Sequence, residues 1–572
     1  MRGAILSVLA LGGFLAFGPY TTEPEIPRWA FIYALGAVSL GALSLTRRLV
    51  LGRLDIALLA LFAWAALSIS WTSDWHGAVY ALARAAALLA VYFGVRHGGE
   101  WMRPVVRNTV FIALVVVLAL LAANPWLDGM QIRYGYLAAI IDKHFFAGFW
   151  LQNFVTEFIL VAIPLLFVAG YRWPVAALAA VAYASTLFIE GILEWPVFCM
   201  AVIAGWVMLY RRSDDEERWI LKCGALGVAV FGIIICVAAE PVVSSFQVRF
   251  EIWFNTLALI AQAPIFGHGL ASYAGLYDGV QGLHLHYIPW IGLNVYKAGA
   301  FVGAAHNDLL QTWAELGIVG VGILGLAVYE VFKSASQRAA MWCLLSLAAL
   351  AMVGFPWQEP APALLGVIAL GFMGRGQREA VSVVVWRWPV LVAPAAFCWA
   401  WIGLHAWQAS YDMSLFRAWF PANKLMAAKY NIDAYNAFPL DHFIRRQLPG
   451  SVASLAATKG GVVMDNATAD LLYRIGESAA PYSVEIRLAR IQYLMNSGRW
   501  KEPEMPALLE DLKKRSNFRP EVWVADAYYS AFTDQYSRMV NAVQTAMKID
   551  PGIESRLPMF AALVKAIQET PK

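Results

Sequence analysis

The chain has 572 residues, of which 60% belong to the hydrophobic set and 14% are charged, with a formal net charge of +4. A soluble chain carries about 25% charged residues, so this composition excludes a soluble multidomain protein and points to one that spans a membrane. The small positive balance is scattered over short loops between apolar runs, which gives no basic patch for nucleic acid.

The N-terminal stretch MRGAILSVLALGGFLAFG has a basic start and an apolar core, as a signal peptide does. Many further spans follow it and no small-residue cleavage site closes it, so it is read as an uncleaved first span. About thirteen apolar runs reach the length a helix needs to cross a bilayer. They centre near residues 11, 37, 62, 86, 115, 157, 181, 202, 230, 320, 346, 367 and 397. Every even-numbered run exits into a basic loop, from Arg47, Arg48 and Arg53 after the second to Arg375, Arg378 and Arg387 after the twelfth. The positive-inside rule then puts those loops and the N-terminus in the cytoplasm and the C-terminal tail outside. The outward loops are 20–28, 71–76, 124–144, 190–194, 240–305 and 355–360. Cys199, Cys223, Cys236, Cys343 and Cys398 all lie in or beside apolar runs and read as small core residues, not as a disulfide framework.

Two ionisable side chains border the long outward loop. Arg249 opens a short helix over 249–263, expected to lie along the membrane surface with Ile252, Trp253, Leu257 and Ile260 as its apolar side. Pro264, Gly267 and Gly269 then make a turn whose backbone can approach another group closely. An arginine here can grip phosphate oxygens in a bidentate way or snorkel to headgroups. His306 stands at the mouth of the next apolar helix, with Asn307 or Asp308 as its cap. Positions 306, 310, 313, 317 and 320 fall on one stripe, whose glycines would admit a second helix, while Glu315 faces away. A neutral imidazole can take a proton from a hydroxyl. A lone interfacial histidine is more often a hydrogen-bonding or headgroup contact.

Other residues carry weaker signals. Arg84 lies inside the fourth span, where an ionisable group is functional or pairs to steady the bundle, here with Asp74 or Glu157. His268, His284 and His286 have spacing compatible with zinc but no acidic or cysteine partner nearby in sequence. Tyr273, Tyr277, Tyr287, Trp290 and Tyr296 either stack on sugars or pack the loop. The acidic run Asp214-Asp215-Glu216-Glu217 reads as a solvated cytoplasmic loop. After about residue 406 the apolar runs stop. Helical spacing recurs over 465–477, 483–496, 505–514, 520–532 and 536–549, and the paired pattern resembles tetratricopeptide-type repeats. The expectation is an all-α fold: a polytopic helix bundle over 1–405, with a long outward loop at 240–305 and a helical extracytoplasmic domain over 406–572.

Arg249, Trp253, Pro264, Gly267 and Gly269, followed by His306-Asn307, Leu310, Glu315, Gly317 and Gly320, resemble the signature of the bacterial O-antigen ligase, O-antigen polymerase and protein O-oligosaccharyltransferase superfamily. The second half matches H-N-x-x-L-x-x-x-x-E-x-G-x-x-G in order and spacing. A fainter similarity covers 145–167, through Asn153 and Pro164. The serine-arginine pair that many members carry near the seventh or eighth span is replaced by IEGILEW, without an arginine. The resemblance implies an inverting, metal-independent glycosyltransferase of the bacterial inner membrane, with no cofactor. Its donor would be a glycan on undecaprenyl pyrophosphate, held at the membrane lipid. Its acceptor would be a hydroxyl of lipid A core, of another glycan or of a protein. His306 would be the general base and Arg249 the cation facing the leaving diphosphate. Arg84, Arg133, Lys143 and Lys297 are candidates for the missing cation, and Trp253 and Asn307 for substrate contacts. Competing classes are a lipid-linked glycan transporter or flippase, a metal-dependent oligosaccharyltransferase resting on Asp74, and a non-catalytic envelope assembly protein.

Overall fold

A computed structural model describes residues 2–16, 25–44, 48–133, 152–169, parts of 174–182, 240–281, 302–333, 337–375, 381–384, 388–419, 423–456, 464–517 and 519–569. Within them the apolar runs are helices: α1 (Arg2–Leu15), α2 (Glu25–Ser44), α3 (Arg53–Ser68), α4 (Trp75–His97), α5 (Met102–Arg133) and α6 (Gln152–Leu165). After α7 (Glu240–Gln262) come α8 (Asp308–Lys333), α9 (Arg338–Ala351), α10 (Pro360–Arg375) and α11 (Trp388–Trp419). Four stretches are long and apolar enough to cross a membrane: Ile26–Ser44, Trp75–His97, Met102–Ala122 and Asp308–Lys333. Shorter apolar helices cover Gly3–Leu15, Val155–Leu165, Arg338–Ala351 and Pro360–Arg375. The runs expected near 202 and 230 lie outside the described residues, and the one near 181 is described only in part.

Helices suit these runs because a helix satisfies its own backbone where no water can. In such surroundings helices associate through close packing, which small residues permit. Gly36 of α2 shows this: a Cβ there would stand 3.2 Å from the Ala87 backbone of α4. Phe14, Trp29, Tyr92 and Phe158 fill the interior of the bundle.

The loops after α2 and α10, expected only as basic loops, contain two short strands. β1 (Arg48–Leu51) pairs antiparallel with β2 (Val381–Val384), in register Arg48↔Val384 to Leu51↔Val381. Their charge gives both loops the same expected side of the membrane. A buried group ties them to the bundle. Asp55 takes the Arg96 guanidinium at 2.7 Å, together with the Tyr92 hydroxyl and the Gly52 amide. Arg96 also donates to the Gly374 carbonyl, and Arg375 to that of Val95 at 2.9 Å.

α11 runs unbroken through residue 405 to Trp419 and leads into the tail. The tail comprises α12 (Lys424–Ala437), α13 (His442–Ala456), α14 (Asn466–Ala479), α15 (Val484–Asn496), α16 (Glu504–Ser516), α17 (Pro520–Phe532), α18 (Tyr536–Ile549) and α19 (Pro558–Glu569). α14 to α18 match the helical spacings of the sequence. Their starts are explained locally: Asp465 accepts the Thr468 N–H at 2.9 Å, Ser483 that of Ile486 at 3.3 Å, and Pro520 opens α17. Successive helices pack on one another, α13 on α14 and α17 on α18.

Candidate functional site

α8 is two helices joined at a break. Gly317 has φ 68° and ψ −175°, which a side-chain-bearing residue rarely adopts. A break frees backbone groups that must be paired if buried. The turn after α7 pairs them. The amides of His268 and Gly269 donate to the carbonyls of Ala314 (2.9 Å) and Glu315 (2.8 Å). Ile318 donates to the Pro264 carbonyl at 2.9 Å, and Trp64 Nε1 to that of Leu316 at 2.9 Å. Gly267 (φ 72°) and Gly317 face each other so closely that a Cβ on either would enter the opposite backbone. The glycine stripe expected to admit a neighbouring helix does so at Gly320, where a Cβ would stand 3.5 Å from Trp64 of α3, whereas Gly317 admits an inserted turn instead.

Glu315 belongs to the same lock. It does not face away: it is buried, accepts the Ala271 N–H at 2.9 Å and receives Gln311 Nε2 at 3.1 Å. The sequence reading missed this role, because the turn that covers Glu315 comes from residues remote in the chain.

His306 precedes α8 with φ 48°, a left-handed conformation that strains a residue with a side chain. Three contacts hold it there. The Trp253 indole N–H donates to the His306 carbonyl at 3.2 Å, and the imidazole meets the Phe355 ring edge-on at 5.0 Å. Asn307 caps α8 by accepting the Leu310 N–H at 2.9 Å and donates to the Met352 carbonyl at 3.1 Å. Trp253 and Asn307, expected as substrate contacts, thus spend these polar atoms on placing His306. Asp308, the other expected cap, accepts the Trp357 amide at 3.3 Å instead.

Arg249 lies on α7, which starts earlier than expected, and its side is buried: Ile252, Asn255, Thr256, Leu259 and Ile260 turn inward, whereas Leu257 is exposed. The His306 imidazole is pushed down to about 4, chiefly by burial and further by the Arg249 charge. The ring is therefore neutral at physiological pH and within electrostatic reach of the guanidinium. The Glu157 carboxylate of α6 feels both Arg249 and Asp308. Its Oε1 lies 3.1 Å from where a Cβ on Gly354 would stand, next to Phe355. Glu157, buried at 5% exposure, therefore joins this group. Its only sequence signal was a carboxylate within an apolar run.

Arg84 pairs with neither Asp74 nor Glu157. Its Nη2 donates to the Tyr80 hydroxyl at 2.6 Å, and its guanidinium lies over the Tyr80 and Trp29 rings, 4.0 and 4.8 Å from their centroids. Asp74 is taken by the tail: Arg445 Nη2 reaches its two oxygens at 2.6 and 2.8 Å, and His442 lies at 3.3 Å. Burial raises the Asp74 carboxyl, but His442, Arg445 and the Gly77 amide outweigh it and hold the group below its ordinary range. Lys143, Lys297 and the side chain of Arg133 lie outside the described residues, as do His284, His286, Tyr287, Trp290, Tyr296 and the 214–217 run.

Tyr273 and Tyr277 are not sugar platforms. Both are buried, the first paired with the Thr256 hydroxyl at 2.9 Å and the second accepting from Asn255 at 3.2 Å. His268 Nε2 is 2.9 Å from the Leu259 carbonyl and packs the turn. Among the described residues no group of three or more His, Cys, Asp or Glu side chains is arranged to hold a metal ion.

No family model matches the chain, and no solved structure matches it. Among curated proteins, an uncharacterized protein of Haemophilus influenzae is 32% identical over 77 residues, which is 14% of this chain and 17% of that protein.

Proposed function

We propose that this protein is a polytopic inner-membrane glycosyltransferase that moves a glycan from undecaprenyl pyrophosphate to a hydroxyl acceptor on the periplasmic face. About thirteen spans, an inward N-terminus and an outward tail belong to the proposal. The observation that carries it is the shared neighbourhood of Arg249 and His306: Trp253, one turn along α7 from Arg249, donates to the His306 carbonyl at 3.2 Å, and the Arg249 charge disfavours the imidazolium. In the reaction the acceptor oxygen attacks the anomeric carbon from the face opposite the diphosphate. The new C–O bond forms as the old one breaks, and the leaving diphosphate keeps the electron pair. His306 takes the hydroxyl proton. Arg249 stabilises the charge growing on phosphate oxygens, as a preorganised cation does.

The depressed imidazole fits this order of events. A bound diphosphate offsets the Arg249 charge and so raises the basicity of His306 once the donor is in place.

A broken helix also occurs where transporters hold their cargo. Here the Ala314 and Glu315 carbonyls and the Ile318 amide are paired with the 264–269 turn and Trp64 takes the Leu316 carbonyl, so these groups are not open to a cargo. Transfer from a lipid-diphosphate glycan should fall about 10²–10⁴-fold in His306→Ala and about 10²–10³-fold in Arg249→Ala. The assay uses purified protein in nanodiscs, and wild-type turnover by both variants at normal protein levels would remove the catalytic reading.

A further inference from the structure

The tail meets the site loop through buried charge. Residues 273–281 follow the glycine turn as a short helical stretch that carries Tyr277, Asp278 and Gln281 inward. Arg446 of α13 contacts Asp278 at 2.7 Å and Glu485 of α15 at 3.1 Å. Arg519, just before α17, contacts Glu485 at 2.8 Å and the Gln281 side-chain carbonyl. Arg519 also acts electrostatically on Glu251, two residues beyond Arg249 on α7. Arg519 and Asp278 are each 1% exposed and Glu251 is 6% exposed. The tail backbone closes over the same stretch: a Cβ on Gly275 would stand 2.8 Å from the Ala479 carbonyl.

A buried ion pair is costly to break, because removing one partner strands the other charge. Separating residues 273–281 from the tail is therefore costly. We infer that the tail is a clamp on the site: Arg446 and Arg519 hold 276–281, and through the Asn255–Tyr277 hydrogen bond that stretch fixes the helix that carries Arg249. Both arginines are positioning residues, and their effect on transfer rests on the function proposed above.

The test uses the full chain in nanodiscs, read by hydrogen exchange over 249–281 and by glycan transfer. Arg519→Gln and Arg446→Gln should each weaken docking by about a hundredfold, seen as faster exchange over that segment. Transfer should fall in parallel, in kcat more than in KM for the acceptor. A Cβ on Gly279 would stand 3.0 Å from that of Tyr482, about 0.5 Å short of the usual disulfide range. Gly279→Cys with Tyr482→Cys in the Arg519→Gln chain should therefore restore both slow exchange and transfer, and reductant should remove both. Unchanged exchange in both glutamine variants overturns the clamp. So does restored exchange without restored transfer, provided that His306→Ala is inactive. If His306→Ala transfers like wild type, the catalytic reading fails, and exchange alone decides whether the tail clamps the loop.

Discussion

At the scale of single residues, the proposed site consists of a neutral imidazole, a buried guanidinium and a nearby carboxylate. Burial and the Arg249 charge both disfavour the imidazolium, so the ring keeps its lone pair down to about pH 4. This has a kinetic consequence. The acidic limb of kcat/KM, which reports the free enzyme, should fall near pH 4, and the limb of kcat should lie at higher pH, because bound diphosphate opposes the arginine. A pH–rate series under single and saturating donor regimes checks this. An acidic limb that stays at the same pH in both would separate Arg249 from the donor. The Asn307 cap was legible in the sequence because cap chemistry is local, and motif spacing singled out His306 and Arg249 as the candidates on which the proposal rests. Glu157 was not, because it comes from a helix remote in the chain.

At the scale of elements, the broken helix and its inserted turn decide the shape of the site. In the sequence Gly267 and Gly269 read as a turn, Gly317 as part of a packing stripe and Glu315 as facing away from it. They are in fact the two halves of one backbone lock. Gly317→Ala adds a Cβ against the Ile265 carbonyl and forces a residue to hold φ 68°. Strain of that kind costs about 1–3 kcal/mol, before any displacement of the turn. The expected result is a lower unfolding midpoint and loss of transfer together, measured by thermal unfolding in nanodiscs and by glycan assay. A folded Gly317→Ala with full activity would mean that the lock is incidental. The periodicity that revealed α8 could not show its break, since a period of 3.6 continues through a glycine unless a partner competes for the backbone.

At the scale of the whole molecule, the tail forms one assembly with Asp74 and residues 273–281. The charge cluster between them titrates in a direction that can be worked out. Burial pushes Glu251 up to about 7, against the pull of Arg519. Burial and Glu485 raise Asp278, against Arg446 and Arg519. In Glu485 burial is outweighed by the same two arginines, and its carboxyl is depressed. Undocked carboxyls titrate near 4, so the docked state holds extra protons between about pH 4 and 7. Docking should therefore weaken as pH rises across that window and level off above it. The depressed Glu485 removes support only when pH falls below its ordinary range. Hydrogen exchange over 270–281, corrected for intrinsic rates, should rise from pH 5 to 7.5, with a smaller slope in Asp278→Asn. A flat profile in the wild type would contradict the assignment of these protons to the interface.

The sequence by itself determined that the chain is helical, that it carries membrane-length apolar helices, and where most tail helices begin and end. Composition, periodicity and capping act over a few residues, so they can be read along the chain. Only the tertiary structure decided that α8 is broken and filled, that Tyr273 and Tyr277 are buried, that Arg84 sits among aromatics and that Asp74 belongs to the tail. Each of those facts depends on which distant group competes for a backbone amide or a buried charge, and that competition exists only after the elements have packed.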